Sequence, residues 1–144
     1  MAQVVASASK TMNAEPEQVR SALADYSTVR ERILPEQYTD YQVLKGGTGD
    51  GTVVRWKLHA TKKRIRDVES AVSVDADSVT ERDANSTLVT VYRVTPAASG
   101  SEVTVTTSWN GAGGIGGFFE KTFAPLGLKK IQASTLDNLA NFLG

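Results

Sequence analysis

No cysteine occurs in the chain, which removes disulfides, thiol nucleophiles and cysteine-based metal sites from consideration. Only one histidine is present, His59, so a metal site would need carboxylates for almost every ligand, and no metal is expected. Charge of one sign is not in excess either. Lys plus Arg number 16, Asp plus Glu number 16, and the formal net charge is +0. That gives no global pull toward nucleic acid or an anionic membrane, and a nucleic-acid partner is not anticipated. No run approaches the ~20 apolar residues of a membrane span. The opening MAQVVASASKTMNAEP lacks the apolar core of a signal peptide, so the cytoplasm is the default location. No G-x-S-x-G element points to a serine hydrolase. What is present is a globular composition, with 40% hydrophobic and 22% charged residues in a chain of 144. This length fits one domain, 1–144, with a core large enough to spare room for a pocket.

The pattern along the chain predicts an α+β protein. Loose alternation over 3–12 reads as a first strand. Pro16 suits the first position of a helix, and Val19, Ala22, Leu23 and Tyr26 fall at i, i+3, i+4 and i+7, one apolar stripe. A second short helix is predicted over 28–34, stopped by Pro35. From residue 37 the period changes to two. Strands are predicted at 37–45, 52–61, 64–74, 78–82, 88–94 and 103–109, separated by turn signals such as KGGTGDG and DANS. Val54, Trp56 and Leu58 share a face, as do Leu88, Thr90, Tyr92 and Val94, and Val103, Val105, Thr107 and Trp109. After a glycine-rich run, Leu128, Ile131, Leu139 and Phe142 keep helical spacing, with Leu136 and Leu143 beside them, so a long amphipathic helix is predicted, kinked or restarted near Pro125 and Gly127. Consecutive strands form an antiparallel meander whose apolar face the terminal helix must cover. A curved sheet need not close tightly on one helix, and the gap is a natural pocket.

This order, together with the helix EPEQVRSALADY, the strand TLVTVYRVTP and the run TTSWNGAGGIGGFFEKTFAPLGLKK, resembles the START-like (SRPBCC, helix-grip) superfamily and, within it, the bacterial polyketide cyclase/dehydrase-like group. The resemblance covers essentially the whole chain. It implies a curved antiparallel sheet of about seven strands wrapped around a long C-terminal helix, two short helices after the first strand, and a cavity between sheet and helix. It also implies a small hydrophobic partner, lipid- or polyketide-like, held without any cofactor. A minority of such proteins catalyse cyclisation.

In a gripping fold the concave positions Tyr26, Trp56, Leu58, Tyr92 and Trp109 become cavity candidates, joined by Phe119, Phe123 and Leu126 at the start of the helix. Gly111, Gly113 and Gly116 match G-x-G-x-x-G, but no second parallel strand follows, so no dinucleotide site is expected. Gly113, Gly114, Gly116 and Gly117 read either as a flexible connection or as a gate at the pocket mouth. The basic run 55–66, with Lys62, Lys63, Arg64 and Arg66, reads as a phosphate or RNA patch or, more simply, as a hairpin with cross-strand ion pairs to the acidic stretch after it. Those acidic residues, 67–83, read as solvated edges and turns, so no acid/base pair is assigned. Three functions stay open: a carrier or sensor of an apolar ligand, a cyclase using Tyr92 or an arginine to polarise a carbonyl, and an interaction module working through the basic hairpin.

Overall fold

The computed structural model describes residues 3–59, 65–110 and 125–144. Seven strands are present: β1 (Gln3–Met12), β2 (Tyr38–Lys45), β3 (Val53–His59), β4 (Ile65–Val74), β5 (Ser78–Asp83), β6 (Val89–Ala97) and β7 (Gly100–Asn110). They form one antiparallel sheet in the order β1-β7-β6-β5-β4-β3-β2. Strands β2 to β7 are a meander, and β1 returns to pair with β7 from Gln3↔Asn110 to Met12↔Ser101. Helices α1 (Pro16–Ala24) and α2 (Arg30–Ile33) follow β1, and α3 (Pro125–Leu143) ends the chain.

Period-two alternation puts one face of each strand inward. Val54, Trp56 and Leu58 of β3, Val68 and Val72 of β4, Tyr92 and Val94 of β6, and Val103, Val105 and Trp109 of β7 are all buried. They meet Leu128, Ile131, Leu136 and Leu139 of α3, Val19 and Leu23 of α1, and Tyr26 just after α1 in one core. The edge strand β2 shifts register between Thr39 and Gln42 and again between Val43 and Lys45, with Asp40 at φ 54 in the first irregularity. Such breaks blunt an edge against pairing with a second chain.

Two expectations about helix α3 and the acidic stretch change. Phe142, predicted on the apolar stripe, is 43% exposed. The inward face runs through Leu128, Ile131, Gln132, Thr135, Leu136 and Leu139, a spacing of three and four that admits two polar residues; Phe142 keeps that phase but stands exposed in the last turn of the helix. In the acidic stretch, Glu81 and Asp83 are buried rather than solvated, because both share the strand phase of Val79.

The turn between α1 and α2 is built by Asp25. Its Oδ1 accepts the Ser27 and Thr28 amides at 3.1 and 3.0 Å, and its Oδ2 accepts the Thr28 hydroxyl at 2.6 Å. The Thr28 hydroxyl bond holds the Asp25 carboxyl below its ordinary pKa. The Arg30 amide then closes onto the Asp25 carbonyl at 3.0 Å, which starts α2 and aims Arg30 into the core.

Candidate functional site

Arg30 is 1% exposed and Glu81 is 5% exposed. A buried charge is tolerable only when paired and hydrogen-bonded, and both conditions hold. Arg30 Nη2 donates to Glu81 Oε2 at 2.7 Å, and Nη1 donates to the Tyr26 hydroxyl at 2.9 Å and to the Leu23 carbonyl at 3.0 Å. The Tyr26 hydroxyl donates to the same Glu81 Oε2 at 2.6 Å. The guanidinium carbon also lies 4.6 Å from the ring centroids of both Tyr26 and Tyr92, within the range of cation–π attraction.

This cluster adjoins an interior cavity of about 30 Å³ between sheet and α3. Its walls are Tyr38, Trp56, Leu58, Glu81, Leu88, Thr90, Tyr92, Val105, Thr107, Leu128, Gln132 and Thr135. Tyr38 meets Trp56 edge-to-face, with centroids 5.9 Å apart at 80°. From the helix side, Gln132 Nε2 donates to the Ala6 carbonyl and to Thr107 Oγ1, each at 3.1 Å. Thr107 in turn shares a hydroxyl bond with Thr90 at 3.0 Å. Gln132 Oε1 is buried without a hydrogen-bond partner among the described residues.

Of the sequence candidates, Trp56, Leu58 and Tyr92 converge on this cavity. Tyr26 lies behind it in the Arg30–Glu81 network, and Trp109 packs in the core at 1% exposure. Phe119, Phe123 and the gate glycines Gly113, Gly114, Gly116 and Gly117 lie outside the described residues, as does the Leu126 side chain. Sequence reading missed Arg30, Glu81 and Gln132. Each carried a signal: Arg30 stands three residues before Ile33 on the short helix predicted over 28–34, Glu81 two after Val79 on a strand, and Gln132 four after Leu128 on α3.

All four tyrosines of the chain hold their protons more tightly than usual. Burial pushes Tyr92 up to about 12, and drives Tyr26, Tyr38 and Tyr41 beyond the ordinary phenol range, against an opposing pull from Arg30. Unfolded phenols ionise near pH 10. The folded state therefore gains stability that is fully present below about pH 10 and is lost as pH rises through about 12. Tyrosinate absorbance is expected to stay absent from the native protein near pH 10 and to appear in one step with loss of the circular-dichroism signal. A normal titration of two or more tyrosines with the fold intact would contradict this burial.

In the described part of the basic hairpin the charges of both signs face each other. Register sets Arg55 opposite Glu69 and Lys57 opposite Asp67. Arg55 donates to Gln42 at 2.7 Å, and Lys57 lies 3.8 Å from Asp40. The open groove over β2–β4, about 680 Å³, is thus lined by both signs among the described residues. Lys62, Lys63 and Arg64 lie outside the described residues. No helix among the described residues is long and apolar enough to cross a membrane.

Residues 3–143 match the family described as polyketide cyclase / dehydrase and lipid transport. The chain is 54% identical to the KanY protein, known from a solution structure, over 99% of this chain and 98% of that one, with a TM-score of 0.91. Similar folds at identities too low to show more occur in TTHA0849 from Thermus thermophilus (15% identity, 96% of this chain, 95% of that chain, TM-score 0.74). Another is major latex-like protein 151 from Panax ginseng (14% identity, 97% of each chain, TM-score 0.72). No curated protein matches the chain. With its seven-stranded curved sheet, two short helices after β1 and long terminal helix, the chain belongs to the polyketide cyclase / dehydrase and lipid transport family of the START-like, helix-grip superfamily.

Proposed function

We propose that this protein binds a small, largely apolar molecule between its sheet and α3, as a carrier or sensor. One observation carries the reading. Gln132 Oε1 is a buried amide oxygen without a partner among the described residues, in a side chain that lines an interior cavity. Buried polar atoms are nearly always satisfied by protein or water, so an orphaned acceptor in a residue beside a void offers a bond that a water, or the donor of a bound molecule that displaces it, would complete. The walls fit that role, with apolar Leu58, Leu88, Val105 and Leu128, aromatic Trp56, and a few converging polar groups. The family description, which couples cyclases with lipid transport, supports the same reading.

At about 30 Å³ the described space admits about two water-sized groups. A lipid- or polyketide-sized ligand therefore requires α3 to move off the sheet. That motion breaks few polar links, chiefly Gln132 to Ala6 and Thr107, Asn138 Nδ2 to the Ile33 carbonyl at 3.0 Å, and the exposed Lys10–Asp137 pair at 3.1 Å.

The test is native mass spectrometry of protein from its own host with organic extraction, joined to uptake of a hydrophobic fluorescent dye. Dye uptake is expected in the native protein and is expected to fall at least about tenfold in Val105→Phe, which fills the cavity, with the far-ultraviolet spectrum unchanged. No extracted molecule and no dye uptake would sink the proposal.

A second reading, a cyclase, is favoured by the buried Tyr26–Arg30–Glu81 cluster beside Tyr92. There Glu81 would move a proton, and the Tyr92 hydroxyl would polarise a carbonyl. A supplied polyketide chain returned lighter by water would favour the enzyme; one returned unchanged would favour the carrier.

A further inference from the structure

We infer that the ligand of this cavity is uncharged and presents a hydrogen-bond donor, a phenol or alcohol hydroxyl, to Gln132 and Glu81; the inference rests on the binding reading above. The orientation of the Gln132 amide is fixed by its neighbours. The Ala6 carbonyl can only accept, so the atom 3.1 Å from it must be the nitrogen. The oxygen is then left buried without a partner among the described residues, in a side chain that lines the cavity and is 5% exposed. An amide oxygen cannot donate, so only a donor completes it.

Glu81 adds a second acceptor to the same wall. Both of its internal bonds, from the Tyr26 hydroxyl and from Arg30, fall on Oε2. Oε1 takes part in neither and, as a carboxylate oxygen, also only accepts. The hydroxyls of Thr90, Thr107 and Tyr92 can turn to either role, so the fixed acceptors set the requirement.

Charge sets the rest. Among the described residues the cavity wall carries no Lys or Arg; behind it, the charge of Arg30 is already matched by Glu81 through Nη2, and Nη1 serves Tyr26 and Leu23, while Nε–H is buried without a partner among these residues. A ligand carboxylate would be buried beside Glu81 without a cation of its own, which is strongly unfavourable. An ammonium would add a third charge to a pair that is already neutral. Three aromatic side chains on the wall, Tyr38, Trp56 and Tyr92, favour an aromatic ring over a bulky aliphatic body.

Phenol, toluene and benzoate separate these demands, because phenol and toluene match in shape and benzoate supplies the anion. Each is titrated into the full chain at pH 7 and followed by NMR at the Gln132 side-chain amide and the Val105 and Leu128 methyls. Phenol is expected to bind about tenfold or more tighter than toluene, and tighter still than benzoate. A purely apolar cavity would rank toluene above phenol, since toluene is the less soluble in water. Toluene or benzoate equal to or tighter than phenol, with shifts at the same methyls, would overturn the donor requirement while leaving the pocket reading intact. No shift at those methyls with any of the three, together with no dye uptake, would overturn both. Gln132→Met, which keeps the length but has no amide oxygen, is expected to bring phenol within about threefold of toluene. An unchanged tenfold preference in that variant would remove Gln132 from the inference.

Discussion

Arg30→Met is expected to lower folding stability by about 3–5 kcal/mol, read as a fall in the urea midpoint with little change in slope. The cost does not come from losing an attraction alone. With Arg30 gone, the Glu81 carboxylate remains at 5% exposure with the Tyr26 hydroxyl as its one remaining partner of the network, and an unpaired buried charge is what makes such variants unstable. The double variant Arg30→Met with Glu81→Leu removes that charge and is expected to recover most of the loss, because well-packed apolar replacements of a buried pair are often near neutral. If the single variant costs less than about 1 kcal/mol, Glu81 is not held as a charge by Arg30. If the double variant is no better than the single, the cluster is a packing unit first. The functional consequence differs between the two. Stability returns in the double variant, but the Glu81 wall of the cavity does not, so a ligand that needs that acceptor stays weakly bound in a protein that folds well.

The architecture was legible because periodicity is a property of long segments. β3 and β7 alternate so regularly that their inward faces could be assigned residue by residue, and Val54, Val103 and Trp109 lie where alternation puts them; β6 is apolar on both faces over its first half, and only from Tyr92 onward does burial alternate. The site was legible only in its apolar half. Trp56, Leu58 and Tyr92 announce an interior by their type, whereas Arg30, Glu81 and Gln132 announce a surface, and composition misleads at each of them. Their phase was correct even so. Glu81 keeps step with Val79, and Gln132 and Thr135 keep step with Leu128 and Leu136. What no one-dimensional pattern holds is the pairing that permits the burial: α2 and β5 stand 51 positions apart at Arg30 and Glu81. The stripe on α3 failed at Phe142 for a different reason: its phase matches Leu128 and Thr135, but it stands in the last turn of the helix, where 43% of it stays exposed.

Gly100→Ala is expected to cost at least about 3 kcal/mol, and the comparison that establishes why is Gly49→Ala. Both glycines have positive φ, +143° at Gly100 and +77° at Gly49, so alanine meets backbone strain of roughly 1–3 kcal/mol at either position. Only Gly100 adds a collision. A Cβ there would stand 2.5 Å from the Met12 carbonyl oxygen and 2.9 Å from the Ala14 nitrogen and oxygen, whereas at Gly49 nothing lies within 4 Å. The atoms in the way are backbone and cannot turn aside. They are also tied, because Ser101 is fully buried and its hydroxyl donates to the Ala14 carbonyl at 2.6 Å. Relief therefore demands that the β6–β7 hairpin separate from the end of β1, where Met12 pairs with Ser101. Thermal unfolding of the two variants side by side isolates the steric part, and equal losses would show that the close approach is not maintained in solution. None of Met12, Ala14, Gly100 or Ser101 lines the interior cavity. Dye affinity of the folded Gly100→Ala fraction is therefore expected to match the wild type while stability falls, which separates the strand junction that holds the sheet together from the surface that meets the ligand.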